Sequence, residues 1–206
     1  MNKIFITLAV EDSLSEAVAK KILLQSQKEY HVVQCLGKNG FGYLKSKINA
    51  FNQAAKGMPF FVLTDQDSTK DCPPSKISKW LNQPRDPNLI FRVAIMEIES
   101  WVMAHRTAIS GFLSVPLNHL PQETDSIQDP KQALLSLVKK SRSHRLKTDL
   151  LPQPGSTAKV GPYYNNRLIQ FVRNEWNAYQ ASENSESLKK ALVCLHKFTP
   201  IYKEGA

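Results

Sequence analysis

Apolar residues in the first half of the chain alternate between two spacings. Ile4–Val10 is a short, almost wholly apolar run, too brief for a helix, and reads as a buried strand. Leu14, Ala17, Val18, Ile22 and Leu24 then recur at helical intervals, with Ser13 and Glu16 spaced as a capping box. Residues 31–35 predict a second strand, and residues 41–55 a helix carrying Leu44, Ile48 and Phe51 on one face. Residues 60–64 predict a third strand. A turn at residues 71–74, a short helix capped by Ser75 and ending near Leu81, and a fourth strand over residues 89–95 complete the alternation. This strand-helix order predicts an α/β fold: a parallel sheet with right-handed crossovers, flanked by helices. Beyond Trp101 the spacing turns helical, at residues 133–140, 166–179 and 187–197, with prolines marking the loops. The expected organisation is a core over residues 1–105 and a helical C-terminal elaboration over residues 106–206, packed on that core.

With 206 residues, 42% of them hydrophobic and 22% charged, the chain is long enough to build a full core. No apolar stretch approaches a membrane span, and Ile4–Val10 runs into Glu11 and Asp12 without a small-residue cleavage site. Cys35, Cys72 and Cys194 lack paired spacing, which fits a reducing cytoplasm better than a disulfide framework or zinc ribbon. The net charge of +9 points either to a polyanionic partner, nucleic acid first, or to solubility alone. No phosphate-binding Gly-x-x-x-x-Gly-Lys loop, no Gly-x-Ser-x-Gly elbow and no His-Glu-x-x-His helix occurs. Residues 37–42 carry three glycines, spaced unlike a dinucleotide loop, and read as a flexible βα loop.

Chemistry enters through the acidic residues. Glu11 follows the first strand, Asp65 and Asp67 the third, Glu97 and Glu99 the fourth. Parallel strands share a carboxyl edge, so these carboxylates are expected to converge there. Their mutual repulsion makes a bound Mg²⁺ or Mn²⁺ the economical explanation, with Asp65 and Asp67 as hard oxygen ligands on one side of an extended backbone. Each also has a plainer reading: Asp65 as a turn cap beside a solvated Asp67, Glu11 as a partner of a helix dipole, Glu97 and Glu99 as a solvated first helical turn.

These residues resemble the Toprim fold of topoisomerases, primases and OLD-family nucleases. In that fold a Glu follows strand one and an Asp-x-Asp follows strand three, as Val10-Glu11-Asp12 and Thr64-Asp65-Gln66-Asp67 do here. The chain is also similar to stand-alone bacterial Toprim-like proteins encoded beside a chromosome-maintenance-type ATPase. That likeness runs through Met96-Glu97-Ile98-Glu99-Ser100-Trp101, Asp129-Pro130-Lys131 and Gly161-Pro162-Tyr163-Tyr164-Asn165-Asn166-Arg167. Asp12 stands where the fold usually has Gly, and His105 where an acidic residue is expected; His105 reads as a ligand, a proton donor or a surface residue.

The resemblance implies a metal-dependent nuclease cleaving DNA or RNA, with Glu11 as ligand or general base. It also implies a separate ATPase partner and a place in bacterial anti-phage defence. For phosphate contacts the candidates are Lys38, the basic stretch with Lys139, Lys140, Arg142, Arg145 and Lys147, and Lys159, the stretch also reading as an exposed helix end. Tyr163 and Tyr164 read as base-stacking or core residues. The competing class is a non-catalytic module that docks on nucleic acid or regulates its ATPase. A third reading is a metal-dependent enzyme acting on a nucleotide or RNA precursor.

Overall fold

The computed structural model describes residues 3–38, 40–67 and 72–202. Four parallel strands, β1 (Ile4–Val10), β2 (Tyr30–Gly37), β3 (Phe60–Asp65) and β4 (Leu89–Ala94), form one sheet in the order β2-β1-β3-β4. The strands are near-continuous apolar runs because both sheet faces are covered. Ile4, Ile6, Leu8 and Val10 of β1, with Phe61 and Leu63 of β3, point into one core; Ala9, Phe60, Val62, Phe91 and Val93 point into the other.

The smaller core is closed by α2 (Gly40–Ala54), which inserts Leu44, Ile48 and Phe51, and by α3 (Pro73–Trp80), which adds Trp80. Phe51 stacks on Phe60 with ring centroids 5.5 Å apart. The larger core takes α1 (Ser13–Gln25), α4 (Ile98–Ala104), α5 (Arg106–Leu113), α6 (Pro130–Lys139), α7 (His144–Leu150), α8 (Tyr164–Asn174), α9 (Ala178–Ser182) and α10 (Glu186–Lys197). It runs without a break from Ile4 to Phe198.

Several local expectations are corrected. Ser13 is not a cap: Asp12 caps α1, its Oδ1 accepting from Ser15 N at 2.7 Å. Asp12 is extended, φ −146°, so the turn after β1 needs no glycine. Ser75 lies inside α3, whose cap position is Cys72; Pro73 and Pro74 occupy the first turn, where a missing N–H costs nothing. Of the turn expected at residues 71–74, Asp71 falls outside the described residues. The helix predicted over 166–179 is two helices, α8 and α9, with Asn177 capping α9 through its side chain.

Three helices, α4, α5 and α7, escape the sequence pattern. Every residue of α4 is buried, so no polar face marks its period. The C-terminal helices hang on it. Trp176 Nε1 donates to Trp101 O at 3.1 Å, Trp101 Nε1 to Ser187 Oγ at 2.7 Å, and Asn184 Nδ2 to Ala104 O at 3.0 Å. His105 joins this hub rather than the surface. It is buried, and its Nδ1 accepts from Asn177 N at 3.0 Å, because the α4–α5 junction is sealed by the start of α9.

Candidate functional site

The sheet order reverses between β1 and β3, and the crevice outside their carboxyl ends is where open α/β sheets bind ligands. Glu11 leaves β1 there and reaches across to β3 instead of capping a helix. Its Oε1 accepts from Asp65 N at 2.9 Å and from the Thr64 hydroxyl. Asp65, the last residue of β3, has Oδ1 buried and without a hydrogen-bond partner among the described residues. The two members of the Asp-x-Asp pair then part company. Asp67 takes a left-handed conformation, φ 59°, so the extended backbone expected through the pair does not hold. Its side chain is 50% exposed and meets Lys76 Nζ at 3.4 Å.

Glu97 and Glu99 also differ. Glu97 occupies the cap position of α4, and its carboxylate accepts from Lys131 N at 2.8 Å and Lys131 Nζ at 3.0 Å. Glu99, 3% exposed, faces inward; Oε1 accepts from the Tyr164 hydroxyl at 3.1 Å and lies 3.4 Å from Lys131 Nζ. Glu99 Oε2 is buried with no hydrogen-bond partner. Tyr164 is thus a core residue with a polar task, whereas Tyr163 is exposed.

Burial raises the pKa of Asp65 well above the usual carboxylate range, and Glu11, Glu99, Asp12 and Asp67 push it further in the same direction. Burial raises Glu99 too, against the opposing pull of Lys131. In Glu11 burial again leads, outweighing the bonds from Thr64 and Asp65 that favour its anion. Lys131 shows the complement: burial disfavours its charge, but Glu99 and Glu97 outweigh that and raise its pKa. Carboxylates following three strands thus bear on the charge of Asp65 at this edge.

The backbone at this edge is strained in a pattern that follows the site. Lys38, Asp67 and Met96, after β2, β3 and β4, are three of the four non-glycine residues with positive φ among the described residues. Each such residue costs about 1–2 kcal/mol and persists where surroundings over-determine it. Asp67 N donates to Met96 O at 3.0 Å, Gly40 N to Glu11 O and Lys38 N to Val10 O, both at 3.0 Å. Gly37, φ 99°, is required where it stands, because a Cβ there would strike the Val10 carbonyl oxygen. These bonds tie the glycine loop to the acidic edge; Asn39 within it lies outside the described residues.

Two lysines that composition could not single out complete the site. Lys76 lies over the Trp80 ring, 5.0 Å from its centroid, and donates to Asp65 O and to Gln66 O. Lys131 stands in the first turn of α6, whose cap Asp129 accepts from Gln132 N at 2.9 Å. The basic residues the sequence did nominate are elsewhere or otherwise engaged. Lys38 Nζ pairs with Glu16 at 3.0 Å. Lys139 ends α6 and Lys140 is its C-cap, about 12 Å along the helix from Lys131. Arg142 is exposed in the following loop, Arg145 and Lys147 lie on α7, and Lys159 is exposed between α7 and α8.

Among the described residues, no group of three or more His, Cys, Asp or Glu side chains is gathered closely enough to hold a metal ion. Unneutralised carboxylates repel, and here Glu11 is held by Thr64 and Asp65 N, Asp67 by Lys76, and Glu97 and Glu99 by Lys131. The donor chemistry still suits a hard divalent cation: two buried carboxylate oxygens, Asp65 Oδ1 and Glu99 Oε2, lack partners, with Glu11 and Asp67 beside them. No family model, curated protein or solved structure matches the chain. Among the described residues, no helix is long and apolar enough to cross a membrane.

Proposed function

We propose that the chain is a metal-dependent nuclease of the Toprim kind, hydrolysing phosphodiester bonds of DNA or RNA at the carboxyl edge between β1 and β3. One observation carries the reading: among the described residues, Asp65 Oδ1 and Glu99 Oε2 are buried without hydrogen-bond partners amid other carboxylates at the carboxyl edge of the sheet. An orphaned carboxylate oxygen in low dielectric costs several kcal/mol unless a proton or a cation meets it. Asp65 and Glu99, with Glu11 and Asp67 adjoining, would hold Mg²⁺ or Mn²⁺. A bound ion supplies phosphoryl polarisation and a water of lowered pKa.

The chain's own groups have definable parts. Two donors on Oε1 fix the Glu11 carboxylate, leaving Oε2 as the atom to accept a proton from attacking water. Tyr164 and Lys131 hold Glu99 by Oε1, which orients Oε2. Lys76 pins the end of β3 and offsets the charge of Asp67. Family resemblance supports a separate ATPase partner and a role in anti-phage defence, and three unpaired cysteines fit a cytoplasmic setting.

The test is cleavage of labelled DNA and RNA, with and without the ATPase, in Mg²⁺, Mn²⁺ and EDTA. Metal-dependent cleavage that Asp65→Ala abolishes while the variant still folds is the expected result. Full activity in that variant, or in EDTA, overturns the reading. The absence of a preassembled three-ligand group among the described residues favours a second reading, a non-catalytic module with a degenerate site. Nucleic-acid binding without cleavage under every condition would select it.

A further inference from the structure

We propose that the groove between α1 and α8 carries a single strand of nucleic acid away from the acidic site; this deepens the nuclease reading and rests on it. The two helices lie side by side and run the same way. Lys21 Nζ donates to Arg173 O at 2.7 Å and Gln25 Nε2 to Trp176 O at 3.4 Å, which joins their C-terminal ends. Their N-terminal ends both reach the acidic edge. Asp12 caps α1 directly after Glu11, and Tyr164, the first residue of α8, bonds Glu99.

Between them lies a cavity of about 690 Å³. Ser13, Asn165 and Asn166 form its mouth beside the site, and Lys20, Lys21 and Arg173 line its far part. Lys21 stands eight residues along α1 from Ser13, about 12 Å from the mouth. The carboxylate in the groove, Glu16, is held by Lys20 at 2.7 Å and by Lys38 at 3.0 Å. Potential therefore changes from negative at the site to positive along the groove. That polarity matches a chain with one phosphate at the carboxylates and further phosphates on the lysines and arginine.

Shape decides between single strand and duplex. Packed helices stand 8–10 Å apart, so the depression between them admits one extended backbone. The groove also accounts for two residues of a motif that the metal site uses only through Tyr164. Asn165 and Asn166 lie within the Gly161-to-Arg167 stretch, and their amides offer donors to phosphate oxygens as well as acceptors.

The experiment measures anisotropy of a dye-labelled oligothymidylate in EDTA over a range of salt, beside duplex of the same length. Wild type is expected to prefer the single strand. The Lys20→Gln, Lys21→Gln, Arg173→Gln triple variant should lower the salt slope by about 2, since each lost single-strand phosphate contact removes about 0.7. The Asn165→Asp, Asn166→Asp double variant keeps the fold, because acidic residues suit a helix N-terminus, and should bind more weakly. Mn²⁺ binding should be equal in all three proteins. Preference for duplex, or an unchanged slope in a folded triple variant, overturns the groove. If both groove variants bind like wild type while metal-dependent cleavage persists, the groove fails and the nuclease reading stands. If the variants lose binding but wild type never cleaves, the groove stands and the nuclease reading fails.

Discussion

The acidic edge and the basic stretch over residues 139–147 are both strongly charged, and they are built in opposite ways. Glu11, Asp65 and Glu99 come from distant parts of the sequence and sit half-buried or buried; Glu11 and Glu99 are gripped by backbone or side-chain donors, while Asp65 Oδ1 has none among the described residues. Lys139, Lys140, Arg142 and Arg145 are neighbours in sequence and exposed. Lys139 and Lys140 have a local explanation, since cations complement the carboxyl end of α6. Charge withdrawn from water is costly and therefore informative, whereas charge left in water is cheap and fits several roles.

The largest test of this contrast compares two glutamates two residues apart. Glu99→Gln should reduce metal-dependent cleavage by about a hundredfold or more, and Glu97→Gln by much less, because only Glu99 presents an unpartnered buried oxygen. Equal losses measured by single-turnover cleavage would break the distinction. Next comes Lys131→Met, which strips both glutamates of their shared cation. A loss of about 1–3 kcal/mol in urea unfolding is expected, with a tenfold to hundredfold loss in cleavage. Unchanged stability would show that water serves Glu97 and Glu99 as well as Lys131 does.

His105 gives a smaller, pH-dependent effect outside both charged regions. Burial lowers its pKa below 6.5 and its Nδ1 is already accepting a bond, so the native state binds the proton less readily than the unfolded chain. Its contribution is complete above about pH 6.5 and is lost as pH falls through that value towards the depressed folded pKa, at no more than about 1.4 kcal/mol per pH unit. The raised carboxylates act in the opposite sense, losing stability as pH rises, so the measurement is the difference between wild type and His105→Gln. That difference should shrink as pH falls below about 6.5; a pH-independent difference would exclude the role. Smallest of all is Lys139→Gln with Lys140→Gln, expected to cost a few tenths of a kcal/mol and to leave the nucleic-acid salt slope unchanged. A slope lowered by about 0.7 to 0.9 per residue would make the basic stretch a phosphate surface after all.

What could be read from the sequence follows the same division. Strands β1, β3 and β4 are legible because apolar runs of that length, buried on both faces, leave little else to build, and their order places Glu11, Asp65 and Glu99 near one edge before any coordinates are known. The inward turn of Glu99 and the outward turn of Glu97 depend on where α4 begins, and α4 has no polar face to announce it. The parting of Asp65 from Asp67 depends on the left-handed conformation of Asp67, whose N–H is tied to the Met96 carbonyl beyond β4. Lys76 was invisible as a site residue because a lysine on a short helix looks solvated until its partners arrive from other elements, and Lys131 stood in the Asp129-Pro130-Lys131 motif without a stated role until its bonds to Glu97 were seen.

Thermal unfolding of wild type and Asp65→Asn, each in EDTA and in Mn²⁺, addresses most directly the claim that the acidic edge is built around a cation. Without metal, the asparagine variant should be the more stable by about 1–3 kcal/mol, a Tm several degrees higher, because a buried carboxylate surrounded by other carboxylates has been made neutral. Mn²⁺ should raise the Tm of wild type and leave that of the variant in place. A variant that melts below wild type in EDTA and gains as much from Mn²⁺ would contradict the account.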